Sequence, residues 1–414
     1  MMRILILTHH YPPEVGAPQT RLSGTAAFLQ SRGHDVLVVA ALPSYPTGIV
    51  PPTYRGRRLI REASDGIPVI RTCTWARPGG SIRLRLANQL SFTASAMLAL
   101  PHVGRRDVLL VESPPLFLGA TGAAFSAALH APMVLHVSDL WPAVPIELGA
   151  LRSPVAIRAA QLFERAVYAA SHRLIVVTER WADRLVSSGI RSDKIDLITN
   201  GVDTEAFDPG AADDRREATR TGLGIADDQI LVACIGTVSN VYGYDVILDA
   251  ARRLAGRSDI RFVIVGDGSL KQSVVDQVRR TNLTNVALVP AQPLARIAAF
   301  YAAADISVGA LLPLPITRGQ LPVRVLEAMA MARPIAFAGA GVAADLIESS
   351  RAGLTGPPLD AAVLAAHVAR LAEDPVLRRT FGAAGRRTIE ARYSRAKVAA
   401  QIEASLRSAA TGTR

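Results

Sequence analysis

Short apolar runs alternate with helix-length stretches along almost the whole chain, and that alternation leaves few folds open. Residues 3–8 read as a buried strand, 11–18 as a Pro- and Gly-containing loop, 19–32 as a helix and 35–41 as a second strand. The same order returns with strands at 69–72, 108–111, 133–136 and 173–177, and helices near 83–100, 116–129 and 155–170. Strands separated by helices form a parallel sheet joined by right-handed crossovers.

The rhythm breaks once. Residues 208–226 (DPGAADDRREATRTGLGIA) are polar and charged, after which strands at 230–235, 262–265, 286–288, 306–309 and 335–338 restart the pattern. A chain of 414 residues also exceeds what one core usually organises. The expected architecture is α/β, with two doubly wound Rossmann-like domains, 1–207 and 208–390, facing a central cleft, followed by a terminal segment 391–414. Ligands of such sheets gather outside the carboxyl ends of the strands, so the loops there are where chemistry is expected.

Other classes lose ground. Cys73 and Cys234 are the only cysteines, far apart, so neither a disulfide framework nor a zinc site is expected and both read as buried filler. The amino terminus has too short an apolar run for a signal peptide. Residues 113–138 carry no Asp, Glu, Lys or Arg, but their prolines and histidines indicate a loop, a buried helix and a strand rather than a membrane span. No nucleic-acid partner and no metal are expected. Most of the net charge of +11 lies in the first 200 residues, where Arg55, Arg57, Arg58, Arg61, Arg71, Arg77, Arg83 and Arg85 face only Glu62 and Asp65. Such a segment suits an anionic partner or forms a solvated basic face.

Several loops could hold a ligand. Gly16, in HHYPPEVG after the first strand, allows close backbone approach at a helix start, or marks a simple turn. Gly236 with Thr237, and Gly266 with Gly268, end successive strands of the second half, without a G-x-G-x-x-G fingerprint or a P-loop. In LPVRVLEAMAMARP, Pro322 opens a helix with Arg324 in its first turn and Glu327 one turn on, along the same face. That pair suits a nucleotide, diphosphate on the cation and ribose hydroxyls on the carboxylate, or forms an intrahelical ion pair.

Taken together, YPPEVGAP at 11–18, RGHDVLVV at 32–39, ITNGVDTEAF at 198–207, IVGDG at 264–268, LPVRVLEAMAMARPI at 321–335 and RYS at 392–394 resemble the retaining glycosyltransferases of family four, which have the GT-B fold. VESPPLFLGATG at 111–122 and SDLWPAVPIELG at 138–149 are similar to the subgroup that builds bacterial surface polysaccharides, including transferases like the L-fucosamine enzyme. The resemblance implies a nucleotide-sugar donor, UDP-linked, bound as substrate in the second domain, and a lipid-linked glycan acceptor on the first. It also implies no cofactor or obligatory metal, and a last helix near 396–408 that returns to the first domain. The basic segment 55–85 beside the apolar helical stretch 84–100, together with a lipid-linked acceptor, points to an anionic membrane surface as partner and a cytoplasmic place on the inner face of the membrane. Asp139 is then a candidate for acceptor positioning, or a loop cap, and Trp141 beside it joins Arg77, Arg83 and Arg85 as candidates for the acceptor and membrane side. Gly319 stands where the family carries a first glutamate. Thr237 and Tyr242 stand where it carries a basic pair, which leaves the phosphate charge to Arg324 and Arg318. The rival expectations are an enzyme like the UDP-sugar 2-epimerases and a non-catalytic nucleotide-sugar-binding subunit.

Overall fold

A computed structural model describes residues 1–14, 16–45, 47–79 and 82–412. The chain separates into two compact units, residues 1–200 together with 395–414, and residues 201–394.

The first unit holds one sheet of eight strands: β1 (Arg3–Thr8), β2 (Asp35–Ala41), β3 (Leu59–Ser64), β4 (Ile67–Thr72), β5 (Val108–Ser113), β6 (Met133–Val137), β7 (Arg173–Val176) and β8 (Ile195–Leu197). Their spatial order is β3-β4-β2-β1-β5-β6-β7-β8, and all pairs are parallel except β3 with β4. The central strands are unbroken Ile, Leu and Val runs because both faces of a parallel sheet are covered. β3 escapes the sequence reading because it lies at the edge, where LIREAS alternates half-buried with exposed residues. Its hairpin to β4 is closed by Asp65-Gly66, both with positive φ, the Asp-Gly signal of a two-residue turn.

The charge-free stretch 113–138 forms the end of β5, the helix Leu118–Leu129 and β6; among the described residues no helix is long and apolar enough to cross a membrane. The helix expected over 83–100 is two pieces, an α-helix at Ile82–Ser95 and a tighter 3-10 stretch at Ala96–His102.

Six parallel strands build the second sheet: β9 (Ile230–Ile235), β10 (Ile260–Val265), β11 (Val286–Val289), β12 (Ile306–Ala310), β13 (Ile335–Ala338) and β14 (Gly353–Gly356), in the order β11-β10-β9-β12-β13-β14. β14 is four residues with a glycine at each end, too short and too poor in β-formers to be read from sequence. Each sheet grows outward in both directions from its first strand, which places a topological switch point between β1 and β5 and another between β9 and β12.

The units divide between Asn200 and Gly201 rather than at the 207/208 junction drawn from composition, since Val202 and Phe207 are buried in the second unit's core. The final helix, Arg395–Thr411, belongs to the first unit and packs along the helix Ala17–Ser31. Buried Glu403 accepts from His34 Nε2 at 3.1 Å, while a Cβ at Gly24 would sit 2.5 Å from Arg395 Cδ, so that glycine allows the two helices to approach. Cys234 is buried in β9, but Cys73 is only half-buried and is not core filler.

Candidate functional site

In the second unit the candidate residues converge at the carboxyl end of β9, beside its switch point. Pro322, in extended conformation, caps the helix Val323–Ala330, whose first turn carries Arg324 across the end of β9. The guanidinium lies 3.8 Å from the centroid of the Tyr242 ring, donates from Nη2 to the Thr237 carbonyl at 2.7 Å, and donates from Nη1 to Tyr244 Oη at 3.3 Å. Gly236 makes room: at φ 129° it takes a backbone conformation that side chains rarely adopt, and a Cβ there would stand 2.8 Å from the guanidinium. Gly266 and Gly268 serve the neighbouring loop, where a Cβ would come within 2.0 Å of the Gly236 carbonyl and 2.3 Å of the Val238 carbonyl. Thus Gly236, Thr237, Gly266, Gly268 and Arg324 share one strand-end cradle of backbone and cation.

Glu327 follows one turn later, half-buried, with Oε2 3.4 Å from the Tyr301 hydroxyl. Arg318 is exposed on the 3-10 turn Thr317–Gly319, and Gly319 is buried there and offers no side chain. This arrangement presents a fork-shaped cation and, further along the same helix, a carboxylate. It can hold a diphosphate and a diol at once.

The first unit carries a buried polar cluster at the carboxyl ends of β5 and β6. Arg21 donates to Glu112, to Ser138 Oγ at 2.5 Å and to Asn200 Oδ1 at 2.9 Å, and Ser138 also donates to Glu112. His136 Nδ1 meets the other Glu112 oxygen at 2.8 Å. Burial would raise the Glu112 pKa, but Arg21, His136 and Ser138 outweigh it and hold the carboxyl below its usual range, whereas burial lowers His136. The pair is therefore a carboxylate and a neutral imidazole. The sequence did not flag Arg21, Glu112, His136 or Asn200, because each reads locally as part of a strand, helix or turn and their partners lie up to 179 residues away.

Asp139 follows Ser138 directly. Its Oδ1 accepts from the Leu140 N–H at 3.1 Å, and burial pushes its pKa up to about 7. Trp141 packs edge-on to Phe117, ring centroids 4.9 Å apart. Gly16 precedes the helix Ala17–Ser31 in extended backbone that any residue can adopt; a Cβ would meet only the flexible Gln19 side chain, so its conformation does not demand glycine.

The basic segment is less uniform than its composition suggests. Arg71 is fully buried, bonded to Glu62, to the Ala41 carbonyl and to the Pro12 carbonyl, so it braces the loop after β1 and is not part of the surface. Arg55, Arg57, Arg58, Arg61, Arg77, Arg83 and Arg85 are exposed, and Arg77 lies 5.1 Å from the centroid of the exposed Trp75 ring. The neighbouring helix turns Phe92, Ala96 and Ala99 inward and leaves Leu90, Met97 and Leu98 outward, 48%, 38% and 47% exposed. Among the described residues no group of three His, Cys, Asp or Glu could hold a metal ion.

Residues 16–201 match the glycosyl transferase 4-like domain, and residues 215–388 match the glycosyl transferases group 1. WcaI of Escherichia coli (strain K12), whose name assigns it to colanic acid biosynthesis as a glycosyl transferase, is 26% identical over 298 residues, spanning 70% of this chain and 72% of its own. The GDP-mannose-dependent alpha-mannosyltransferase of Mycolicibacterium smegmatis is 27% identical over 395 residues, 94% of this chain and 93% of its own. The crystal structure of Anabaena Alr3699/HepE in complex with UDP has a TM-score of 0.72 at 20% identity, covering 98% of this chain and all of that one, a likeness of fold.

Proposed function

We propose that this chain, a glycosyltransferase of group 1 with the GT-B fold, moves a sugar with retention from a UDP-linked donor to a lipid-diphosphate-linked saccharide in bacterial surface polysaccharide synthesis. The observation that carries this is the Arg324–Glu327 helix face at the β9 switch point. Arg324 receives the donor diphosphate, the helix amino terminus adds partial positive charge, and Glu327 accepts from the ribose hydroxyls. Arg318 is the second cation available to the phosphates. The acceptor oxygen bonds to the anomeric carbon as the carbon–phosphate-oxygen bond breaks on the same face. The departing phosphate takes the acceptor's proton, so neither a metal nor a covalent enzyme intermediate is needed. Asp139 positions the acceptor hydroxyl, held at the end of β6 next to the Arg21–Glu112 cluster. HepE, a fold relative, binds UDP, which supports a uridine donor; the mannosyltransferase named for GDP-mannose makes GDP-sugars the necessary comparison.

Thermal-shift titration with UDP-, GDP- and dTDP-sugars tests the donor, and a UDP-sugar is expected to raise the melting temperature most. Glu327→Ala should remove most of that shift while the unliganded protein stays folded, because losing a carboxylate bonded to ribose weakens binding by about 1.5–3 kcal/mol. An unchanged nucleotide affinity would return Glu327 to a structural role.

The exposed arginines beside Trp75, Leu90, Met97 and Leu98 support a peripheral seat on the inner membrane face, where a lipid-linked acceptor is found. Each basic side chain near an anionic surface contributes on the order of 1 kcal/mol. Binding to vesicles containing anionic lipid should weaken as salt rises, and should fall when Arg77, Arg83 and Arg85 are all replaced by Gln. A folded triple variant that binds as well as the parent removes this face from the membrane contact.

A further inference from the structure

We infer that Tyr301 is a positioning residue that holds Glu327 for the donor's ribose and thereby sets how strongly the enzyme distinguishes a ribonucleotide from its deoxy analogue. This rests on the reading of Glu327 given above. Tyr301 lies on the helix Leu294–Ala303, wholly buried in the second unit's core, with the Phe207 ring edge-on at 6.1 Å. Its hydroxyl emerges at the Val323–Ala330 helix, 3.1 Å from the Arg324 carbonyl and 3.4 Å from Glu327 Oε2. Burial drives the phenol pKa well above its ordinary value, so the group remains a donor at any working pH.

One phenolic proton faces two acceptors a turn apart. The Arg324 carbonyl lies in the first turn of that helix, where the ladder bond from the residue four positions on already serves it, so the carbonyl does not need the tyrosine. Glu327 does gain from it. A glutamate left mobile must give up rotamer freedom to capture a ligand, and one already tethered by a buried donor has given it up beforehand. The residue that would anchor Arg324 and Glu327 from beneath thus comes from a helix remote in sequence and wholly inside the core.

The test is calorimetric binding of UDP and 2′-deoxy-UDP, and of GDP and 2′-deoxy-GDP, to the full chain as parent, Tyr301→Phe and Glu327→Gln, with the melting temperature of each unliganded protein recorded. Removing one oxygen from a filled core should leave the fold intact. For the nucleotide that binds, the parent should prefer the ribo form by about tenfold or more, and Glu327→Gln should shrink that preference to about threefold or less. Tyr301→Phe should weaken the ribonucleotide by about 3- to 10-fold and its deoxy analogue hardly at all, so the preference narrows without loss of stability. A Tyr301→Phe preference equal to the parent's overturns the inference, whether or not both ligands weaken. If Glu327→Gln leaves the preference intact, or neither ribonucleotide binds, the reading of Glu327 fails first and takes this inference with it.

Discussion

Replacing Arg324 with alanine is expected to reduce kcat/KM for sugar transfer by about 10²- to 10³-fold, with the unliganded protein still folded. The magnitude follows from how few cations the strand end offers. Where the family that this sequence resembles carries a basic pair, this chain has Thr237, exposed and contributing its carbonyl, and Tyr242, contributing a ring. Neither neutralises a developing phosphate charge. Arg318 is exposed on a turn, whereas Arg324 is stacked on Tyr242 and tied to Thr237, so its fork is oriented before the donor arrives. Lysine should restore only part of the loss, since it keeps the charge without the planar fork or the stacking face. Steady-state kinetics on the donor selected by the thermal-shift screen decides the matter. A rate for Arg324→Ala within about threefold of the parent would mean that the diphosphate charge is met elsewhere.

The Arg324 and Glu327 pair was legible because both lie on one short helix, and a Pro start with three-residue spacing puts them on one face whatever surrounds it. The rest of that site was not legible. Tyr301 sits in an apolar helical run, YAAA, where a tyrosine reads as core, and only the packing of two helices brings its hydroxyl to Glu327. Arg71 misled in the opposite direction. Counted by composition it joins a basic segment, yet it lies in β4 with its guanidinium buried against Glu62 and two carbonyls, since sequence charge does not reveal which face of a strand is covered. The strands followed the same logic. Runs such as ILIL and VLLV announced buried parallel strands, whereas β3 alternates like any solvated edge and went unread, although the Asp65-Gly66 turn that closes its hairpin is a local signal for one. Local pattern carried the architecture; contacts between distant segments carry the site.

The Asp139→Asn variant is expected to be more stable than the parent at pH 8 by about 1–3 kcal/mol, to differ little from it near pH 4, and to lose the alkaline-rising limb of the acceptor pH profile. Burial holds the folded-state pKa near 7, with only the Leu140 N–H favouring the charged form, while an unfolded aspartate titrates near 3.9. Between those values the native state binds more protons than the unfolded chain, so stability is greatest below about pH 4, falls as pH rises toward 7, and levels off above it. The full difference corresponds to about 4 kcal/mol, and the residue's partial exposure reduces it to the range given. Asparagine keeps the Oδ1 acceptor for Leu140 and never ionises, which removes the decline. A carboxylate whose ionised form weakens the fold at neutral pH would be an odd choice for a loop cap alone, but such a group becomes a strong acceptor for a substrate hydroxyl over the range in which it ionises. Two measurements separate the parts of this argument. Denaturant melts of parent and variant at pH 5 and pH 8 that stay parallel would show that the carboxyl is not held protonated by burial. A variant that gains the stability yet keeps a rising limb near pH 7 would assign that titration to another group and leave Asp139 as a loop cap.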